Sequence, residues 1–145
     1  MMSRIPFETY MRSAAMQMLL DYAAMANVKL QKYPGRPRSV NPPCAYVERI
    51  RETIVFDGMR QRVVQVDIRI LWGLFDSAEA VAQRDAFVDG FVDWAKTRFH
   101  QAGANTLIAA VSVEDIPSFV NDWVPPEQQR NYYATRIRLE GYAEG

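Results

Sequence analysis

The sequence predicts an α+β fold: a single domain with a mainly antiparallel four-stranded sheet, a long hairpin and two helices packed on one face, in the order α-β-β-α-β-β. Three observations lead there. Between Arg60 and Gly73, the residues Val64, Val66, Ile68, Ile70 and Trp72 alternate with Gln65, Asp67 and Arg69, the period-2 pattern of a strand with one buried side. Asp57-Gly58 stands between two strand-like runs, where it supplies the positive φ values of a type I′ hairpin turn. Two other stretches carry apolar residues at steps of three and four, as helices lying on a core do.

The first of these helices is predicted over Phe7–Ala26, with Pro6 in its first turn and Ser3 as one possible cap. Phe7, Met11, Ala14, Met18, Tyr22 and Met25 form its stripe, widened by Ala15, Met16, Leu19 and Ala23. A Met-rich face is adaptable, suited to a core or to a plastic partner surface. Residues 31–44 follow as an extended Pro-rich arm, because Pro34, Gly35, Pro37, Pro42 and Pro43 exclude helix.

The hairpin then spans Ala45 to Gly73. Its first arm alternates imperfectly, with Tyr46, Ile50, Ile54 and Phe56 on one face and Val47, Arg49, Arg51 and Thr53 on the other. Its second arm, Arg60 to Gly73, would run roughly 45 Å at ~3.3 Å per residue, against a diameter of about 40 Å for a compact chain of this size. The hairpin is therefore expected to span or overhang its domain.

Asp76 and Glu79 have the spacing of a capping pair, opening a second helix over Ser77–His100. Val81, Val88, Phe91, Val92, Ala95 and Phe99 are its apolar stripe, and Gly103 is its stop. Thr106–Ile116 reads as the third strand, with Leu107, Ala109, Val111 and Val113 on one face, ended by Pro117. A Pro-rich, unusually apolar connection over Ser118–Gln129 leads to the fourth strand, Asn131–Tyr142, with Tyr133, Ile137 and Leu139 inward and Arg136, Arg138 and Glu140 outward.

Equal numbers of basic and acidic residues, 17 of each, and 49% hydrophobic content describe a globular domain and argue against a dedicated nucleic-acid binder. The lone Cys44 gives no disulfide framework. With no apolar run near ~20 residues and no secretory leader, the chain is expected to be made in the cytoplasm without a membrane partner.

Chemistry-bearing patterns are sparse. His100 reads as a helix C-terminal residue favoured by the dipole rather than a general base, and Cys44 as packing rather than a nucleophile. Asp85, Asp89 and Asp93 recur every four residues, a spacing able to hold a cation but one that suits a solvated or partner-facing acidic stripe. No catalytic, cofactor or metal residue is therefore assigned, and an enzyme is not expected.

Four segments, Tyr33-Pro34-Gly35, Pro42-Pro43-Cys44-Ala45-Tyr46-Val47, Ile70-Leu71-Trp72-Gly73 and Arg84-Asp85-Ala86-Phe87-Val88-Asp89, resemble the tail terminator proteins of long-tailed bacteriophages. The resemblance implies a structural virion subunit of the tail-neck region, assembled in the host cytoplasm. On this resemblance it would form a hexameric ring that caps the completed tail tube and joins the tail to the head-side connector or stopper. Its expected partners would be other copies of itself, the tail tube protein and the connector, with DNA only as cargo through the lumen. A head-completion or other neck protein is the sibling reading; a small-ligand enzyme and a nucleic-acid-binding module are the readings from other classes.

A closed ring needs two different complementary patches on each subunit. Arg36 and Arg38 in the arm are expected to contact a protein neighbour. Asp67 and Arg69 on one strand, and Arg136 and Arg138 on another, are candidates for complementary contacts that set register. The Asp57-Gly58 tip and the Phe119–Pro126 loop, with Phe119 and Trp123 as aromatic anchors, are candidates for contacts between rings, although that loop is equally suited to folding back over its own core.

Overall fold

The computed structural model describes residues 7–57, 59–98 and 107–144. In chain order they form α1 (Phe7–Met25), β1 (Gln31–Tyr33), β2 (Cys44–Asp57), β3 (Met59–Leu74), α2 (Ala78–Arg98), β4 (Leu107–Val120), a short 3-10 turn (Pro126–Gln128) and β5 (Asn131–Glu144). The fold is α+β, but the sheet is mixed and five-stranded, in the order β1-β2-β3-β5-β4. The strand missing from the expected α-β-β-α-β-β order is β1, which lies inside the Pro-rich arm and runs parallel to β2 from Gln31↔Cys44 to Tyr33↔Tyr46. Three residues are too few to show a period, which is why composition pointed to an arm.

The hairpin is present, paired from Cys44↔Leu71 to Asp57↔Met59, while Gly58 lies outside the described residues. It does not overhang as a free arm. β5 backs β3 from Leu74↔Tyr132 to Gln61↔Glu144, and β4 follows β5 as far as Leu107↔Tyr142. The long hairpin is half of an equally long four-strand body.

Glu48 explains the imperfect alternation of β2. A register shift between Val47 and Arg49 leaves Glu48 as an extra residue, so Val47 faces Ile68 and Ile50 faces Val66, while Tyr46 faces Arg69 and Arg49 faces Asp67. Val47 and Ile50 thus share one side and Tyr46 shares the other with Arg49, correcting the expected grouping. One inserted residue inverts every side chain beyond it.

β4 also departs from expectation. It continues through Pro117 to Val120, with register shifts between Ile108 and Ala110 and between Ile116 and Phe119. Proline is tolerated there because β4 is an edge strand and Pro117 sits in a bulge, where no ladder hydrogen bond is lost. The first shift breaks the alternation expected across Leu107, Ala109, Val111 and Val113.

Both helices pack on one sheet face. Val64, Val66, Ile68, Ile70 and Trp72 of β3, Ala45 and Val47 of β2, and Ile137 and Leu139 of β5 are buried against them. From α1 come Ala15, Met16, Leu19, Tyr22 and Ala23, whereas Met25 is exposed. From α2 come Ala80, Phe87, Val88, Phe91 and Ala95, whereas Val81 is exposed.

Helix ends are set locally. The Ser77 hydroxyl accepts a hydrogen bond from the Ala80 N–H at 3.2 Å, so Ser77 caps α2 rather than Asp76. At the other helix, Asn27 takes a left-handed φ of 59° and the Val28 N–H donates to the Ala23 carbonyl at 2.8 Å, closing α1 with a Schellman-type turn. Ser3, Pro6, His100 and Gly103, assigned roles at helix ends from sequence, lie outside the described residues.

Candidate assembly surfaces

The sheet face away from the helices has two zones. At the end where β2 begins, Cys44, Tyr46, Leu71, Tyr132 and Ala134 form a second buried cluster, with Tyr33, Val40, Ile116, Phe119 and Trp123 packed around it. This cluster is roofed by loops. The Trp123 indole N–H donates to the Pro37 carbonyl at 2.8 Å, and its ring meets the Tyr46 ring edge-on at 5.8 Å. The 121–130 loop is therefore folded back over its own core, and it is tied there to the Pro-rich segment.

Burial has chemical consequences in this zone. It pushes the Cys44 thiol up to about 11, so the thiol stays protonated and unreactive at neutral pH. Burial, reinforced by the Glu48 carboxylate, also pushes the Tyr46 phenol well above its ordinary range.

Beyond the roof, the same face is a ladder of ion pairs. Arg138 donates from Nε to Asp67 Oδ1 at 2.7 Å and from a terminal nitrogen to Oδ2 at 3.1 Å. These bonds, and the carboxylate charge behind them, raise the Arg138 guanidinium further. Arg69 makes a two-point contact with Glu48 at 2.7 Å for each bond. Arg136 pairs with Glu114.

The predicted residues thus divide. Asp67 and Arg69 are only 5% and 4% exposed and are satisfied largely within the chain, so they hold this subunit together. Arg136 and Arg138 are their half-open counterparts on β5. Phe119 lies within β4, opposite Tyr132, with the Arg69 guanidinium 4.5 Å above its ring. Arg36 and Arg38 are both exposed, and the Arg36 guanidinium sits 5.4 Å from the centroid of the Trp123 ring. Asp57 ends β2; its turn partner Gly58 is outside the described residues.

Sequence reasoning missed Glu48, Glu114 and Asp115. Asp115 accepts from Arg84 of α2 and from the Thr135 hydroxyl, at 2.9 Å in each case, and so ties that helix to the sheet. Only Glu48 left a trace, as the broken alternation of β2. Arg84 also pairs with Asp85 at 3.0 Å, while Asp89 and Asp93 are exposed on α2. Among the described residues, no group of three or more His, Cys, Asp or Glu is placed to hold a metal, and no helix is long and apolar enough to cross a membrane.

Comparison with protein-family models and with curated proteins gave no match.

Proposed function

We propose that this chain is a structural virion subunit of the tail terminator kind, forming a hexameric ring on the completed tail tube and joining it to the head-side connector. The observation that carries this reading is the convergence of the four terminator-like segments. Tyr33 pairs with Tyr46, Cys44 pairs with Leu71, and Trp72 meets Phe87 of α2 at 5.4 Å between ring centroids. Segments scattered between Tyr33 and Asp89 thereby form one continuous unit, as expected if they are shared because of the fold.

The loop end of the sheet also supports a subunit that meets a protein neighbour. The hairpin turn lies at one end and the 121–130 loop at the other, because Asp57↔Met59 and Val120↔Asn131 close opposite ends of their ladders. At the loop end Leu74 and Phe75 are each 50% exposed and Val120 is 42% exposed, and all three flank Asn131, whose carbonyl accepts the Phe75 N–H at 3.1 Å. Such an apolar end suits a protein contact.

Native mass measurement tests this reading. The purified chain, alone or on addition of tail tube protein, should form a closed ring of six. A chain that stays monomeric under both conditions contradicts it.

A further inference from the structure

We infer that subunits join edge to edge, the free edge of β4 in one copy adding to the free edge of β2 in the next, so that their sheets become continuous; this rests on the ring reading above. β1 covers β2 only at Cys44–Tyr46, which leaves β2 from Val47 to Asp57 with β3 as its sole strand partner among the described residues. β4 has only β5. Each chain therefore carries two long rows of unpaired backbone donors and acceptors, on opposite sides of one sheet.

Strand direction fits head-to-tail addition. β2, β3, β5 and β4 alternate in direction, each pair being antiparallel. With an even number of alternating strands, rotation about an axis along the strands brings β4 of one copy beside β2 of the next in antiparallel orientation. The ladder then continues from copy to copy without a break in pattern.

Charge selects these edges for each other. On the face away from the helices, β2 exposes Arg49 and Arg51, and neither makes an ion pair among the described residues. On that same face β4 exposes Ser112 and Glu114. A basic edge and an acidic edge attract each other, whereas two β2 edges or two β4 edges repel, which favours the head-to-tail contact over a symmetric dimer. The register shifts in β4, between Ile108 and Ala110 and between Ile116 and Phe119, bound the stretch available for pairing. Bulges at such places end a ladder and fix where pairing begins and stops.

Charge exchange tests the contact. R49E/R51E in one variant and E114K in another should each weaken self-association about tenfold or more by sedimentation. Circular dichroism should show both variants folded, since among the described residues Arg49 and Arg51 make no ion pair and Glu114 makes an exposed one. Mixing the two variants, or placing all three changes in one chain, should restore assembly, and amides of Arg49–Thr53 and Ser112–Glu114 should gain protection from hydrogen exchange in the oligomer. Rings that form equally well in every variant overturn the edge contact and leave the ring intact. Weakening without rescue on mixing also overturns it, and a chain monomeric at all concentrations, with or without tail tube protein, overturns both the edge contact and the ring.

Discussion

Asp67 lies directly opposite Arg138 in the central β3–β5 pair, and the two side chains are joined by hydrogen bonds of 2.7 and 3.1 Å. Asp67 is buried on a sheet face that carries no helix, and Arg138 is its ion-pair partner among the described residues. Arg138→Ala should therefore cost about 1–3 kcal/mol, less than a fully buried pair because Arg138 is half-open to solvent. Arg136→Ala, which removes an exposed pair with Glu114, should cost under about 1 kcal/mol. Urea denaturation of the two variants side by side gives both values, and equal costs would contradict the assignment of Asp67 to the folded subunit.

Ile68 is fully buried between the helices and the sheet. Truncation to Ala should cost roughly 2–4 kcal/mol, read as a fall in the denaturation midpoint at unchanged slope.

Gly90 is required by the close approach of the two helices. A Cβ there would lie 2.0 Å from the Tyr22 hydroxyl, and the Tyr22 ring is boxed by Phe87, Phe91 and Trp94 at 5.0–5.5 Å. Gly90→Ala should therefore destabilise by about 1–3 kcal/mol despite its better helix propensity. Tyr22→Phe in the same chain removes the clashing oxygen and should recover most of the loss in a double-mutant cycle.

The Trp123 indole holds the loop roof to the Pro-rich segment through Pro37. Trp123→Ala should leave the helix-side core folded while speeding tryptic cleavage after Arg38 in the loosened segment. Unchanged cleavage would show that the segment is held by other contacts.

Cys44 gives a pH dependence. Its thiol is raised by burial from 9.0 to about 11, so the native state disfavours the thiolate. The stability this contributes is fully present below pH 9 and is lost as pH rises from 9 toward about 11. Denaturation measured across that window should show the chain weakening, and Cys44→Ala should flatten the slope. In the folded protein the thiol should resist a disulfide reagent at neutral pH and react on unfolding.

The helix-side face of β3 and the inward face of β5 were legible because period-2 alternation over Val64–Trp72 and Tyr133–Leu139 is long and unbroken. β1 was hidden by its three-residue length, and the Val47–Ile50 grouping by one extra residue at Glu48. Pro117 misled because a Pro inside a strand reads as a stop unless the strand is known to be an edge, which only tertiary pairing reveals. Among the candidate surface residues, Arg36 and Arg38 are exposed, as charged side chains in a loop usually are. The inward pairing of Asp67 and Arg69 depends on Arg138 and Glu48, whose positions follow from register and a bulge that sequence spacing does not encode.

The proposed role in stopping tail-tube growth is tested most directly by the length of tubes polymerised from tail tube protein with and without this chain. Added chain should occupy one end of each tube as a ring and halt extension. A variant with residues 55–62 rebuilt as a tight turn should fold but no longer halt growth. Tubes that extend equally in the presence of the intact chain, with no ring at either end by electron microscopy, would contradict it.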